Sequence, residues 1–189
     1  ILILKNNYFK NRTNPILHKE NLGGVAYNIA LKLSFLDQYS SLYSLNCELI
    51  QKKIIKQNKI KFINLNKSIF KRYYTSVIDK NGKMIFGLAN MEDYEKKIFF
   101  KKLINLKNKN IILDLNLSSE FIQNTINENF KNNYICVCGT SAYKVNKVKK
   151  LLNKIDTIII NKQEGFAISK KNSIKDSMSY LIKKNKKLN

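Results

Sequence analysis

Three stretches in the second half of the chain set its architecture: Asn110-Ile111-Ile112-Leu113-Asp114-Leu115-Asn116, Asn133-Tyr134-Ile135-Cys136-Val137-Cys138 and Asp156-Thr157-Ile158-Ile159-Ile160-Asn161. Each is apolar almost throughout instead of alternating with period two, the pattern of a strand buried on both faces. Between the first two, Ser118 or Ser119 caps a helix that runs to about Phe130. Between the second and third, a helix runs from about Ser141 to Asn153. Ser173 followed by Asp176 resembles a capping box and opens a final helix. Apolar strands separated by helices imply a parallel sheet with helices on both faces, so the expected fold class is layered α/β/α.

The first half is less regular. Residues 25–37 (VAYNIALKLSFLD) place Val25, Ala26, Ile29, Ala30, Leu33 and Leu36 on one helical face. A short strand at 41–45, a helix at 48–57 and an alternating strand at 59–65 follow. Residues 69–78 and 84–89 are β-rich and flank Asp79-Lys80-Asn81-Gly82, whose Asn-Gly marks a hairpin. This hairpin, at about 69–89, reads as a lid inserted in one α/β domain spanning 1–189. A helix is expected at about 92–106.

The 189 residues suit one domain, and 44% hydrophobic content is too high for a disordered chain. No apolar run is long enough to span a membrane, and Ile1-Leu2-Ile3-Leu4 is too short for a signal peptide. The expectation is therefore a soluble cytoplasmic protein. The formal charge of +22 suggests a polyanion partner, yet 33 of the 35 basic residues are lysine, with only Arg12 and Arg72 as arginines. Base and phosphate forks favour arginine, so no specific nucleic-acid partner is expected, only salt-sensitive adhesion. Cys47, Cys136 and Cys138 form no CxxC pair, and His18 is the single histidine. A histidine-rich metal site is excluded, and a Ser-His-Asp triad has little to stand on.

Two places carry candidate chemistry. Gly23-Gly24 precedes the first helix, where bare backbone and unpaired N–H groups can approach a ligand, and Asn28 one turn later can bond sugar hydroxyls. The same residues would also serve a plain strand-to-helix turn. Asp114-x-Asn116 and Asn161-x-x-Glu164 stand at carboxyl ends of strands, where parallel α/β sheets bind ligands. Glu164 there could hold Mg²⁺ through water. Thr75, beside Tyr73 and Tyr74, lies on the lid. No GxxxxGK[ST] or GxGxxG occurs.

Taken in order, Asn14-Pro15, Gly23-Gly24-Val25-Ala26-x-Asn28-Ile29-Ala30, the lid Tyr73-Tyr74-Thr75-Ser76-Val77-Ile78-Asp79-x-x-Gly82-x-Met84, Asp114-Leu115-Asn116-Leu117-Ser118, Thr140-Ser141-Ala142-Tyr143-Lys144 and Asn161-x-x-Glu164 resemble the ribokinase-like (phosphofructokinase-B-type) carbohydrate kinases. The lid is most similar to that of the pseudouridine kinase branch. The resemblance covers about Asn14 to Gly165. It implies ATP-dependent phosphorylation of a ribose-type 5′ hydroxyl, with a sugar or nucleoside, pseudouridine foremost, as acceptor and Mg²⁺ as cofactor. It implies that Asn14, Gly23, Gly24, Asn28 and Thr75 bind the acceptor, that Asn161 and Glu164 organise phosphate and magnesium, and that the lid forms a homodimer. The family's catalytic base belongs to a later Gly-Ala-Gly-Asp motif. Glycines here stand at 23, 24, 82, 87, 139 and 165, none in such a motif, so the base is expected beyond Asn189. Without it the 189 residues are expected to be inactive or weak, as the N-terminal portion of a kinase or as a degenerate remnant; a basic RNA-binding module is the remaining alternative. Cys138-Gly139 stands where Asp-Pro is usual in the family. The family's first strand is expected to be at best partly present in residues 1–4.

Overall fold

The computed structural model describes residues 1–45, 49–65, 73–90 and 106–185. The expected helix at 92–106 lies almost wholly outside these residues. The second half forms the expected parallel sheet. Strands β7 (Asn110–Asp114), β8 (Tyr134–Cys138) and β9 (Thr157–Ile159) pair side by side, with Ile111 opposite Ile135 and Val137 opposite Ile158. Because side chains alternate along a strand, Ile111, Leu113, Ile135 and Val137 share one face, and all four are buried in one core cluster. The helices that close over this face carry the matching residues: Ile122 and Ile126 from one, Val145, Val148, Leu151 and Leu152 from the next, then Ile168 and Leu181.

Those helices are α3 (Ser119–Asn129), a 3₁₀ helix (Lys144–Lys154), α4 (Lys162–Ser169) and α5 (Ile174–Lys184). Ser118 caps α3 by accepting from the Phe121 N–H, and Ser173 caps α5 by accepting from the Asp176 N–H. The segment after Ser141 is wound more tightly than the expected α-helix. Its buried residues Val145, Val148 and Leu151 recur every third position, the repeat of a 3₁₀ turn. Helix α4 was not expected; it occupies the residues that follow Asn161.

In the first half, α1 (Val25–Phe35), β3 (Ser40–Ser44), α2 (Leu49–Gln57) and β4 (Ile60–Asn64) form a smaller unit with β3 and β4 parallel. Its core is Ala30, Leu42, Ile55 and Ile60, with Ala26, Tyr27, Leu31 and Phe62 against it. The inward side of α1 is thus centred on Ala26 and Ala30, while Leu36 is exposed and Val25, Ile29 and Leu33 line an open groove. Small residues at 26 and 30 let the helix approach β3 and β4 closely, with Tyr27 and Leu31 flanking them.

The hairpin differs from expectation in extent. Strands β5 (Tyr73–Ile78) and β6 (Met84–Asn90) pair antiparallel around the Asp79–Lys83 turn, where Asp79 Oδ1 accepts from the N–H groups of Asn81 and Lys83 and Gly82 takes φ 82°. They belong to a four-stranded sheet in the order β2-β1-β5-β6, completed by β1 (Leu2–Leu4) and β2 (Ile16–His18). Strand β1 runs parallel to β5 and antiparallel to β2. Residues 2–4 are therefore not part of the main parallel sheet. They are a strand of the lid sheet, drawn there by the pairing of Leu2 with Val77 and of Ile3 with Ile78.

Candidate functional site

The Asp114 carboxylate, at the carboxyl end of β7, fixes the position of the Gly-Gly turn. Its Oδ1 accepts from the Asn116 N–H at 3.0 Å and its Oδ2 from the Ala26 N–H at 3.4 Å. Ala26 lies in the first turn of α1, so a residue 88 positions away pins that helix's amino end against the edge of the sheet where parallel α/β proteins bind ligands. The carboxylate also faces the positive end of the helix dipole.

Gly24 is the N-cap of α1 with φ 113° and ψ 141°, a conformation closed to most side chains, and has no side chain of its own to cap the helix. Its carbonyl accepts the first helical hydrogen bond, from the Asn28 N–H at 2.9 Å. A Cβ placed on Gly23 or Gly24 would meet nothing within 4 Å, so the bare backbone there faces open space. Asn28 is exposed one turn further on. With Val25, Ile29, Lys32, Leu33 and Leu36 it lines a groove of about 380 Å³ along α1. Asn161 and Glu164 are not part of that groove.

Asn161 and Glu164 form a reciprocal cap on α4. The Glu164 N–H donates to Asn161 Oδ1 at 3.0 Å, and the Asn161 N–H donates to Glu164 Oε2 at 2.9 Å. Glu164 is only 3% exposed. Its carboxylate lies directly against Gly139 at the end of β8, where a Cβ would collide with it. Gly139 is therefore matched to this buried carboxylate. One Glu164 oxygen is committed to the cap, and no three His, Cys, Asp or Glu side chains converge among the described residues. This donor set does not fit a protein-held Mg²⁺. It fits at most a contact through water, with phosphates supplying the other ligands.

The remaining expected residues lie on the lid sheet. Asn14 sits in the β1–β2 loop with its carboxamide occupied locally: Oδ1 accepts from the Phe9 N–H, and Nδ2 donates to the carbonyls of Phe9 and Arg12. Thr75 is half-buried in β5, opposite Leu88.

Sequence reasoning gave no role to two lysines that brace the site. Lys147 Nζ donates to the Leu115 and Leu117 carbonyls at 3.0 and 2.9 Å, and Lys144 Nζ donates to Asn116 Oδ1 at 3.1 Å. Both reach from the 3₁₀ helix to the loop after β7, which carries Asp114. Their three-residue spacing on one face of that helix was the available signal. Beside Asp114 on the sheet, Cys136 and Cys138 project from the same face of β8 and are buried free thiols. Their mutual hydrogen bond pulls the Cys136 thiol below its ordinary range. It pushes Cys138 far up, with burial and the charges of Cys136 and Asp114 adding to the rise.

No family model matches this sequence, and no curated protein matches it. Solved structures do resemble the fold. A carbohydrate kinase from Agrobacterium tumefaciens superposes with a TM-score of 0.77 at 18% identity, over 99% of this chain and 63% of that one. Phosphofructokinase-2 from Escherichia coli, in complex with substrates and products, gives 0.66 at 10% identity, over 98% and 66%. Ribokinase from Cryptococcus neoformans, in complex with ADP, gives 0.65 at 8% identity, over 95% and 61%. The chain therefore has the ribokinase-like fold of these carbohydrate kinases, and spans less than two thirds of the length of each.

Proposed function

We propose that this chain is the acceptor-binding portion of an ATP-dependent kinase that phosphorylates the 5′ hydroxyl of a ribose-type sugar or nucleoside, with pseudouridine the favoured acceptor. The observation that carries the proposal is the Asp114–Ala26 hydrogen bond, which holds an open Gly-Gly turn at the carboxyl edge of a parallel sheet in a ribokinase-like fold. In this reading the backbone of Gly23 and Gly24 and the Asn28 carboxamide hold the ribose. Thr75 covers it from the lid, and Asn14 shapes the loop that frames it. Asn161 and Glu164 set the amino end of α4 toward the phosphates, and Mg²⁺ arrives with the nucleotide. Phosphoryl transfer needs positioning and charge neutralisation above all, together with a carboxylate to take the hydroxyl proton. That carboxylate comes from outside residues 1–189.

Calorimetry tests the reading. Pseudouridine is expected to bind the wild-type chain, and Asn28→Ala to weaken it about tenfold, the cost of roughly one hydrogen bond to a sugar hydroxyl. Turnover is expected only when the portion carrying the base is supplied. Absence of binding by pseudouridine, uridine and ribose alike would refute the proposal. Cys138-Gly139, standing where the kinases it resembles carry Asp-Pro, favours a second reading, a non-catalytic remnant; under it, no supplied portion restores turnover. The lid is also proposed as a homodimer surface, since among the described residues β6 is an edge strand, with Met84, Ile85, Phe86 and Leu88 exposed.

A further inference from the structure

Two sulfur atoms share one side of β8. Cys136 and Cys138 are two residues apart on the strand, so their side chains leave the face opposite to that of Ile135 and Val137, which enter the main core. On that face Cys136 lies between Ile112 of β7 and Thr157 of β9, and Cys138 lies between Asp114 and Ile159. The two cysteines are 8% and 5% exposed, whereas Ile159 beside them is 59% exposed and Tyr134, two residues back on the same face, is 48% exposed. The thiols are covered, but by neighbours that themselves reach solvent. A small oxidant has a short way in, and a bulky one is excluded.

The pair is also close enough to bond. A parallel strand rises about 3.3 Å per residue, which sets the two Cα atoms about 6.6 Å apart, near the upper end of the roughly 4.4–6.8 Å that a disulfide spans. Closing such a bond shortens β8 locally, and a bridge closed against the strand's own length is readily reduced again. The sulfurs are already in hydrogen-bond contact, and that contact divides their roles. The Cys138 S–H donates to Cys136, which lowers the Cys136 thiol and raises Cys138. One sulfur is thereby readied to attack while the other keeps its proton.

We propose that Cys136 and Cys138 are a site of reversible oxidation, closed to a disulfide by hydrogen peroxide, and that closure loosens the Asp114 anchor of the Gly-Gly turn. The Cys136 thiolate attacks one peroxide oxygen. The O–O bond breaks, and the departing hydroxide takes up a proton and leaves as water, with Cys136 now a sulfenic acid. The negative charge on Cys136 is then gone, and with it part of what held the Cys138 proton. The Cys138 sulfur gives up that proton and attacks the Cys136 sulfur. The S–O bond breaks, and the second hydroxide leaves with the proton as water. Two thiols have lost two electrons and two protons, and the peroxide has become two waters. The link to the turn is short: Cys138 pairs with Asp114 in the sheet, and the Asp114 carboxylate accepts from the Ala26 N–H. Drawing Cys138 toward Cys136 disturbs that pairing. The proposal stands apart from the kinase reading and does not need it.

The test uses the Cys47→Ser chain, in which the pair are the remaining cysteines. With a slight excess of hydrogen peroxide the folded chain should lose about 2 Da, the mass of two hydrogens, and dithiothreitol should restore it. Peptide mapping should place the bridge within one peptide that holds both residues. Adding Cys138→Ala should give a gain of about 16 or 32 Da instead, the sulfenic or sulfinic acid of Cys136, because no second sulfur resolves it. Exchange of the Ala26 amide should quicken about tenfold on oxidation and return on reduction, with the amides of α3 unchanged as the sign of an intact fold. A Cys47→Ser chain that only gains oxygen would overturn the proposal. So would a bridge that joins two chains, or one that forms only in urea. An Ala26 amide indifferent to a fully formed bridge would overturn the coupling to the turn.

Discussion

Gly139 and Glu164 are fitted to one another: the carboxylate occupies the space that any side chain at 139 would need. Gly139→Ala should therefore destabilise the fold by about 1–3 kcal/mol, the usual cost of overpacking a tight site. Glu164→Ala alone should cost about 1 kcal/mol through the lost cap. The double variant should be less damaged than the two singles together, because removing the carboxylate makes room for the methyl group. Urea unfolding of all four proteins measures this, and strict additivity would show that the two residues do not compete for the same space. The cysteine pair allows a second test. As pH rises, Cys136 ionises first because the Cys138 S–H donates to its thiolate, so alkylation followed by peptide mapping should find Cys136 modified before Cys138.

At the scale of elements, the link between β7 and α1 is the most exposed to test. Asp114→Ala removes both acceptors that hold the Gly-Gly turn and the Asn116 loop. Amides in the first turn of α1 should then exchange about tenfold faster, with those of β8 unaffected. Equal exchange in the variant would mean that packing on β3 and β4 suffices to hold the turn. The sequence made these two motifs visible but not their contact, since nothing in spacing joins residues 88 apart. Apart from helix α4, elements of five or more residues with a buried face were legible, because burial imposes a period. Strands β1 and β2 were not: three residues hold too little alternation to read, and they exist only through their pairing with each other and with β5. Helix α4 was hidden because Asn161-x-x-Glu164 was weighed as a site. The two residues serve as the helix's own cap, and this geometry fits either role.

On the scale of the whole molecule, burial is uneven. The parallel sheet and its helices own the large core, while the four strands of the lid sheet bury only Leu4 and Val77 among the described residues. A net charge of +22 adds self-repulsion throughout. Raising salt from about 10 mM to about 150 mM shortens the screening length from roughly 30 Å to roughly 8 Å, so the urea midpoint should rise across that range. A flat response would show that the lysines are spaced and solvated well enough for their mutual repulsion not to matter. The Asp114–Ala26 hydrogen bond also bears on the order of events at the ribosome. The Gly-Gly turn is synthesised early, yet its anchor emerges only after another 88 residues, and β7 gains its place in the large core only when β8 has joined it. Nascent chains released before about residue 140 should consequently carry an amino-terminal half whose Gly-Gly loop has no settled shape, and would depend on chaperones until the rest arrives.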